Sequence, residues 1–143
     1  MTKLSDAASG VLAELTNGAA GERFAVRAPD GVNPNYGWIT GGTVVVSTAA
    51  TTYAAPITNV LTGIADISGD VATLRVNGVQ AATSASNQGT GNYANAALFI
   101  GRRSNATIPF NGRLYSLAVL GRTATAAELS AMEAWVNGKT GAF

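Results

Sequence analysis

The chain has 143 residues, of which 47% are hydrophobic and 12% are charged, as expected for one folded domain with a substantial core. Nine Lys and Arg against eight Asp and Glu give a net charge of +1, and Arg102-Arg103 is the only pair of adjacent basic residues. The electrostatic footprint of a nucleic-acid-binding protein is therefore missing.

The sequence lacks residue types that several kinds of chemistry require, and this excludes those kinds of site. There is no cysteine and no histidine, so disulfides, Ser-His-Asp triads and His-ligated zinc cannot form. There is no apolar run of about 18 residues and no charged leader before an apolar stretch, so neither a membrane span nor a signal peptide is predicted. The 17 glycines and the many Thr, Val and Ala residues favour short strands joined by tight turns, which is an all-β composition.

Alternating runs predict strands along the first half of the chain. Val11 to Leu15 and Glu22 to Ala28 flank a loop rich in Asn and Gly, and we expect them to form a hairpin. Tyr36 to Ile39 and Thr43 to Thr48 are predicted as two further strands, separated by Gly41-Gly42.

The stretch from 57 to 67 fits two secondary structures. Its apolar residues recur at helical spacings of three and four: Ile57, Val60, Leu61, Ile64 and Ile67. We prefer a strand, because Thr, Val and Ile dominate the stretch and Gly63 interrupts it.

Residues 70 to 83 are the clearest local unit. Asn77-Gly78 is the two-residue loop that a type I′ hairpin turn requires, with φ above zero at both positions. Pairing across this turn places the apolar residues on one face, namely Ala72, Leu74, Val76, Val79 and Ala81. The other face then carries Thr73, Arg75 and Gln80.

The last third contains a polar loop, two strands and a helix. The loop runs from Ser84 to Asn95, and the strands are predicted at Leu98 to Arg102 and Arg113 to Gly121. Thr125 followed by Glu128 is a capping box, which predicts the start of the helix. The apolar stripe of this helix comprises Leu129, Met132, Trp135 and Val136, and Gly138 is predicted to stop it near residue 137 or 138.

The order of these elements resembles the C-terminal part of a concanavalin A-like lectin/glucanase domain, including the laminin-G-like modules of phage and prophage tail proteins. The resemblance covers residues 57 to 143 well and the first 50 loosely. It is carried by the Asn77-Gly78 hairpin, by the strand Leu98 to Gly101, and by a set of residues before and within the helix: Phe110, Gly112, Leu114, Leu117, Val119, Glu128 and Leu129.

This resemblance implies a single domain over residues 1–143, an all-β jelly-roll sandwich of two antiparallel sheets with one short C-terminal α-helix that caps one end. Domains of this type usually begin with one or two strands beside the C-terminal strand, whereas Met1 opens almost directly into a loop-like sequence. We therefore expect a domain that lacks its first strands. We also expect another copy of the chain to cover the open sheet edge, which would give a homo-oligomer.

Catalysis is not expected. The glucanases of this superfamily carry catalytic acids at alternating positions of one strand, and no acid here stands two residues from another. Asp66 and Asp70 form the closest loop pair and are weak candidates for a calcium site with backbone carbonyls. We prefer to interpret both as turn and cap residues, because Asp is common in turns.

Sugar recognition is the function that the sequence still allows, because it needs an aromatic face together with amide groups on loops at sheet ends. Two groups fit this description: Tyr36 and Trp38 with Asn35, and Tyr93 with Gln88 and Asn92. The alternative is that all three rings are packing residues.

The resemblance thus favours a non-catalytic carbohydrate-binding module, with a glycan or cell-surface polysaccharide as partner. It suggests the receptor-recognition domain of a phage or prophage tail protein, located in the virion or in the cytoplasm of a prophage-bearing bacterium. The alternative is a structural or oligomerisation module with no glycan site.

Overall fold

The computed structural model describes residues 1–31, 33–50 and 52–143. Over these residues the chain forms eleven strands and one helix. The strands are β1 (Thr2–Lys3), β2 (Val11–Leu15), β3 (Arg23–Arg27), β4 (Tyr36–Gly41), β5 (Val45–Ala50), β6 (Ile57–Thr58), β7 (Leu61–Asp66), β8 (Val71–Val76), β9 (Val79–Ser84), β10 (Leu98–Ile100) and β11 (Gly112–Arg113). The helix is α1 (Ala126–Thr140).

The strands form two antiparallel layers. One layer is a five-stranded sheet with the order β10-β2-β3-β4-β5. The second layer consists of two three-stranded sheets, β11-β1-β6 and β7-β8-β9. Only Asn59 and Val60 separate β6 from β7, and the Asn77 N–H donates to the Val60 carbonyl at 2.9 Å. The chain thus passes directly from one small sheet to the other, and the expected two-layer sandwich is confirmed.

The core lies between the layers and is centred on Trp38. Its indole N–H donates to the Ile64 carbonyl of the opposite layer at 3.1 Å. A Cβ at Gly63 would overlap the indole ring, so glycine at this position lets β7 approach the five-stranded sheet. The rest of the buried cluster is apolar: Met1, Leu12, Phe24, Ala28, Tyr36, Val46, Ala50, Ala72, Leu74 and Val76.

Most of the strands predicted from sequence are present. β2 and β3 pair as a hairpin, β4 and β5 follow, and the stretch from 57 to 66 is extended rather than helical. Asn77 and Gly78 have φ values of 52° and 77°, as a type I′ turn requires. The prediction that Val79 lies on the core face of this hairpin is wrong, because Val79 is 68% exposed. It lies at the end of the outermost strand of its sheet, where no layer covers it.

Two predictions about the strand ends are wrong. Thr2 and Lys3 do not belong to a loop, since β1 pairs with both β11 and β6. The strand predicted from Arg113 to Gly121 ends at Arg113. Residues 114–120, here called the apolar segment, have no strand partner among the described residues, and their large side chains are exposed.

The helix begins where its capping box predicts and ends later than expected. The Thr125 hydroxyl accepts from the Glu128 N–H, and the Glu128 carboxylate accepts from the Thr125 N–H. Gly138 does not stop the helix, which continues to Thr140 and ends at Gly141 in the left-handed conformation. Trp135 does not belong to the buried stripe, because it is exposed beneath the Lys139 ammonium.

Candidate functional site

The structure places Tyr36 and Trp38 in the core. The Tyr36 hydroxyl accepts from the Asn59 side-chain amide at 2.6 Å, and the Lys3 ammonium lies 4.6 Å from the centre of the ring. Burial raises the pKa of Tyr36 to about 12. Tyr36 and Trp38 are 0% and 5% exposed, so neither ring offers a face to a sugar in solution.

Gln88 and the two candidate calcium ligands form an internal support for the loop that follows β9. The Gln88 side-chain amide donates to the Asp66 carbonyl at 3.0 Å, and the Gln88 N–H donates to the Asp70 carboxylate at 2.8 Å. The Asp66 carboxylate accepts from the Ser68 hydroxyl and the Gly69 N–H, and these hydrogen bonds lower its pKa. These are the contacts of turn-forming residues, and Gln88 itself is buried.

The six candidate ligand-binding residues do not converge on one place. Asn35 precedes the start of β4, whereas the Tyr93 hydroxyl is hydrogen-bonded to Thr40 near the end of the same strand. Five residues of extended chain separate these positions by roughly 16 Å. Tyr93 is half-buried with its ring edge against Phe24, and Asn92 beside it is exposed.

Three loops meet where Asn92 and Tyr93 lie, and we call this region the polar loop end. It comprises residues 17–22, 41–44 and 88–95. The Ala94 N–H donates to the Glu22 carbonyl at 2.8 Å, and the Thr43 N–H donates to the Thr90 carbonyl at 3.0 Å. The exposed polar side chains of this end are Asn17, Thr43, Thr90, Asn92 and Asn95. These backbone hydrogen bonds hold the three loops together, and the loops present a set of amides and hydroxyls at the surface.

A shallow depression of about 430 Å³ adjoins the polar loop end. Its lining combines one aromatic ring with polar side chains: Thr16, Asn17, Gly18, Ala96, Ala97, Phe99, Ser104 and Asn105. No local pattern in the sequence indicates this depression. Asn17-Gly18 resembles an ordinary turn, and only the pairing of β10 with β2 brings Phe99 near it.

The acidic residues inside the fold are paired with cations. The Glu14 side chain is 1% exposed and accepts from Arg103 at 3.2 Å and from the Ser104 N–H at 2.9 Å. Glu133 pairs with Arg75 at 2.8 Å. Among the described residues, no group of three or more Asp and Glu is placed to hold a metal ion. No helix in this part of the chain is long and apolar enough to cross a membrane.

Comparison with known proteins gives one match. The model of a family described as the concanavalin A-like lectin/glucanases superfamily matches residues 2–130. The searches of curated proteins and of solved structures found no match. The matched range contains all eleven strands and the start of α1, so it spans both layers of the sandwich.

Proposed function

Because the chain belongs to the concanavalin A-like lectin/glucanases superfamily, we propose that it is a non-catalytic carbohydrate-binding module. The proposed ligand is a glycan or a cell-surface polysaccharide. In the setting of a phage or prophage tail protein, such a module would recognise the receptor on the host.

One observation carries this proposal, namely the hydrogen-bonded loops of the polar loop end. Asn92 is exposed there next to Tyr93, whose ring and hydroxyl are fixed by Phe24 and Thr40. Loops whose backbone is already fixed in the free protein lose little conformational entropy on binding, which favours recognition of a polar ligand by the side chains that they present. Tyr36, Trp38 and Gln88 have no direct role in this proposal, since all three are buried.

Thermal unfolding of the protein with a broad glycan panel at millimolar concentration, with and without calcium, tests the proposal. We expect one glycan class to stabilise the fold by about 1–3 kcal/mol when it exceeds its Kd roughly tenfold to a hundredfold. Asn92→Ala should abolish this stabilisation, and Asn111→Ala, an exposed amide outside the polar loop end, should leave it unchanged. Absence of any shift across the panel would refute glycan binding.

A second candidate function is assembly, as a structural module of a virion or tail protein. It is favoured by the apolar segment, where Leu117, Val119 and Leu120 are 38–53% exposed although they belong to a run with hardly any polar residue. Exposed apolar surface of this kind is typical of protein interfaces. Self-association through an open sheet edge stays a prediction, and light scattering at about ten to a hundred micromolar, in the range of weak interface affinities, would test it.

A further inference from the structure

The depression of about 430 Å³ beside the polar loop end offers hydrogen-bond donors from two asparagine side chains in its lining. The Asn17 Oδ1 accepts from the Ala19 N–H at 2.9 Å, and the Asn105 Oδ1 accepts from the Thr107 N–H at 3.3 Å. Because a backbone N–H already donates to each amide oxygen, the amide nitrogen is the group left for a ligand. Among the described residues, neither nitrogen has a hydrogen-bond partner.

The two hydroxyls of the lining belong to Thr16 and Ser104. The Thr16 side chain is buried, and its oxygen accepts from the Gly18 N–H at 3.0 Å. Three of the four polar side chains therefore use an oxygen in hydrogen bonds within their own loop, and only Ser104 keeps its oxygen free of such bonds. The depression is thus richer in donors than in acceptors.

The rest of the lining is apolar. Phe99 is half-buried on β10, and Ala96 and Ala97 lie just before this strand. An aromatic ring offers a large apolar contact at low cost in side-chain entropy. A ligand of the depression therefore has an apolar group as well as acceptor oxygens.

The depression has no free charge to pair with an ionised ligand. None of the described residues that line it is charged. Glu14 lies opposite Phe99 in the pairing of β2 with β10, but its carboxylate is 1% exposed and is held by Arg103 and by the Ser104 N–H. A carboxylate or sulfate would have to leave water without a cationic partner, which is unfavourable. The ligand is therefore uncharged.

We propose that the depression binds the acetamido group of an N-acetylhexosamine, an assignment that rests on the proposed function and names its ligand class. The acetamido carbonyl accepts from the amide nitrogens of Asn17 and Asn105, and the methyl group contacts Phe99. A sugar hydroxyl must donate as well as accept, and few acceptors are free in this lining, whereas an amide carbonyl only accepts. The volume of about 430 Å³ is within the range of about 300–1,000 Å³ that is usual for small-molecule sites.

Three monosaccharides at millimolar concentration test the assignment by saturation-transfer NMR and titration. N-acetylglucosamine and glucose differ only in the acetamido group at C2, and glucuronic acid carries a carboxylate. We expect N-acetylglucosamine to bind, with the strongest saturation transfer on its acetyl methyl group. Glucose and glucuronic acid should bind about tenfold more weakly or less, because neither supplies both the neutral acceptor and the methyl group.

Matched variants locate the binding. Asn105→Asp and Asn17→Asp keep the oxygen that accepts the backbone N–H and remove the NH₂ donor, so each should fold and weaken binding of N-acetylglucosamine about tenfold or more. Asn87→Asp is the control, because Asn87 is exposed outside the depression and its Oδ1 accepts from the Gly89 N–H at 2.6 Å. It introduces the same charge into the same kind of turn and should leave binding unchanged. If one of the two lining variants does not fold, the other variant and the comparison with glucose still decide the question.

Three results would overturn the assignment. The first is that N-acetylglucosamine does not bind, or binds no better than glucose. The second is tighter binding of glucuronic acid, since the ligand would then be a carboxylate. The third is that Asn87→Asp weakens binding as much as the two lining variants do. A Tm shift by another glycan that Asn92→Ala abolishes would retain the proposed function in each of these cases, whereas no shift across the whole glycan panel would refute both.

Discussion

The two halves of the sandwich differ in how completely their layers cover each other. In the closed half, β4 and β5 face β7, β8 and β9, and the side chains of Ala72 and Leu74 are completely buried. In the open half, the apolar segment borders a cavity of about 730 Å³, and Leu117 and Val119 are 40% and 53% exposed. Similar apolar residues thus stabilise the fold in one half and leave surface available in the other.

The difference in burial between the two halves arises from strand pairing rather than from composition. β8 has a partner on each side, so its inner side chains are held against the opposite layer. The apolar segment follows β11 directly, but its pairing stops opposite the first residues of the chain. Buried backbone N–H and C=O groups need hydrogen-bond partners, and no neighbouring strand among the described residues supplies them to the apolar segment. The open half is therefore the part of the molecule that exposes apolar side chains to solvent.

The largest expected effect is on the free energy of unfolding, and it is tested by the same Leu→Ala substitution in each half. Leu74→Ala removes a fully buried side chain and should lower the free energy of unfolding by about 2–5 kcal/mol. Leu117→Ala, in the apolar segment, should lower it by about 0.5 kcal/mol or less. Urea unfolding measures both values. Similar losses for the two variants would mean that the apolar segment is packed in solution, and the two halves would then not differ in this way.

A smaller effect is expected at the ion pair that fixes α1 over the second layer. Burial alone would raise the pKa of Glu133, but hydrogen bonds from Arg75 and Thr62 outweigh this and lower it. Glu133→Met leaves the Arg75 guanidinium without this partner and should destabilise the protein by about 1–3 kcal/mol. The amides of α1 should also exchange faster, while those of β8 change little.

The double variant Arg75→Met with Glu133→Met is the control for this pair. It leaves no unpaired charge, and replacing a buried ion pair by apolar residues is often neutral. We expect it to be more stable than Glu133→Met alone. If the double variant is the less stable of the two, the ion pair is not what attaches the helix.

Local signals in the sequence were sufficient to predict the hairpin of the closed half and the start of the helix. The Asn77-Gly78 turn needs only two residues in the left-handed region, and the structure has both. The helix start follows from the reciprocal hydrogen bonds of Thr125 and Glu128. Its end was misplaced because glycine is also tolerated inside a helix, and Gly141 rather than Gly138 adopts the terminating conformation.

The features that could not be predicted from the sequence depend on contacts between residues that are far apart in the chain. The polar loop end depends on hydrogen bonds such as that from Ala94 to Glu22, which are 72 residues apart in the chain and carry no local pattern. Tyr36 and Trp38 have the flanking residues of a sugar site, yet their alternation on β4 turns both rings towards the opposite layer. The strand predicted after Arg113 has the right side chains and lacks only a partner, which a sequence pattern does not reveal.

The smallest expected effect concerns the exposed start of α1. The Arg122 side chain and the Thr125 cap lower the pKa of Glu128 from 4.5 to about 2. A carboxylate with a lowered pKa stabilises the fold above its unfolded pKa, and this contribution disappears as the pH falls through its folded value. The Tm difference between the native chain and Glu128→Gln should therefore be constant above about pH 5, shrink between about 4.5 and 2, and vanish below that. Ser130→Ala, on the same helix and without a titrating group, should show a difference that does not depend on pH. A difference for Glu128→Gln that stays the same from pH 5 to below pH 2 would show that its charge does not stabilise the helix, and the cap would then act through its shape alone.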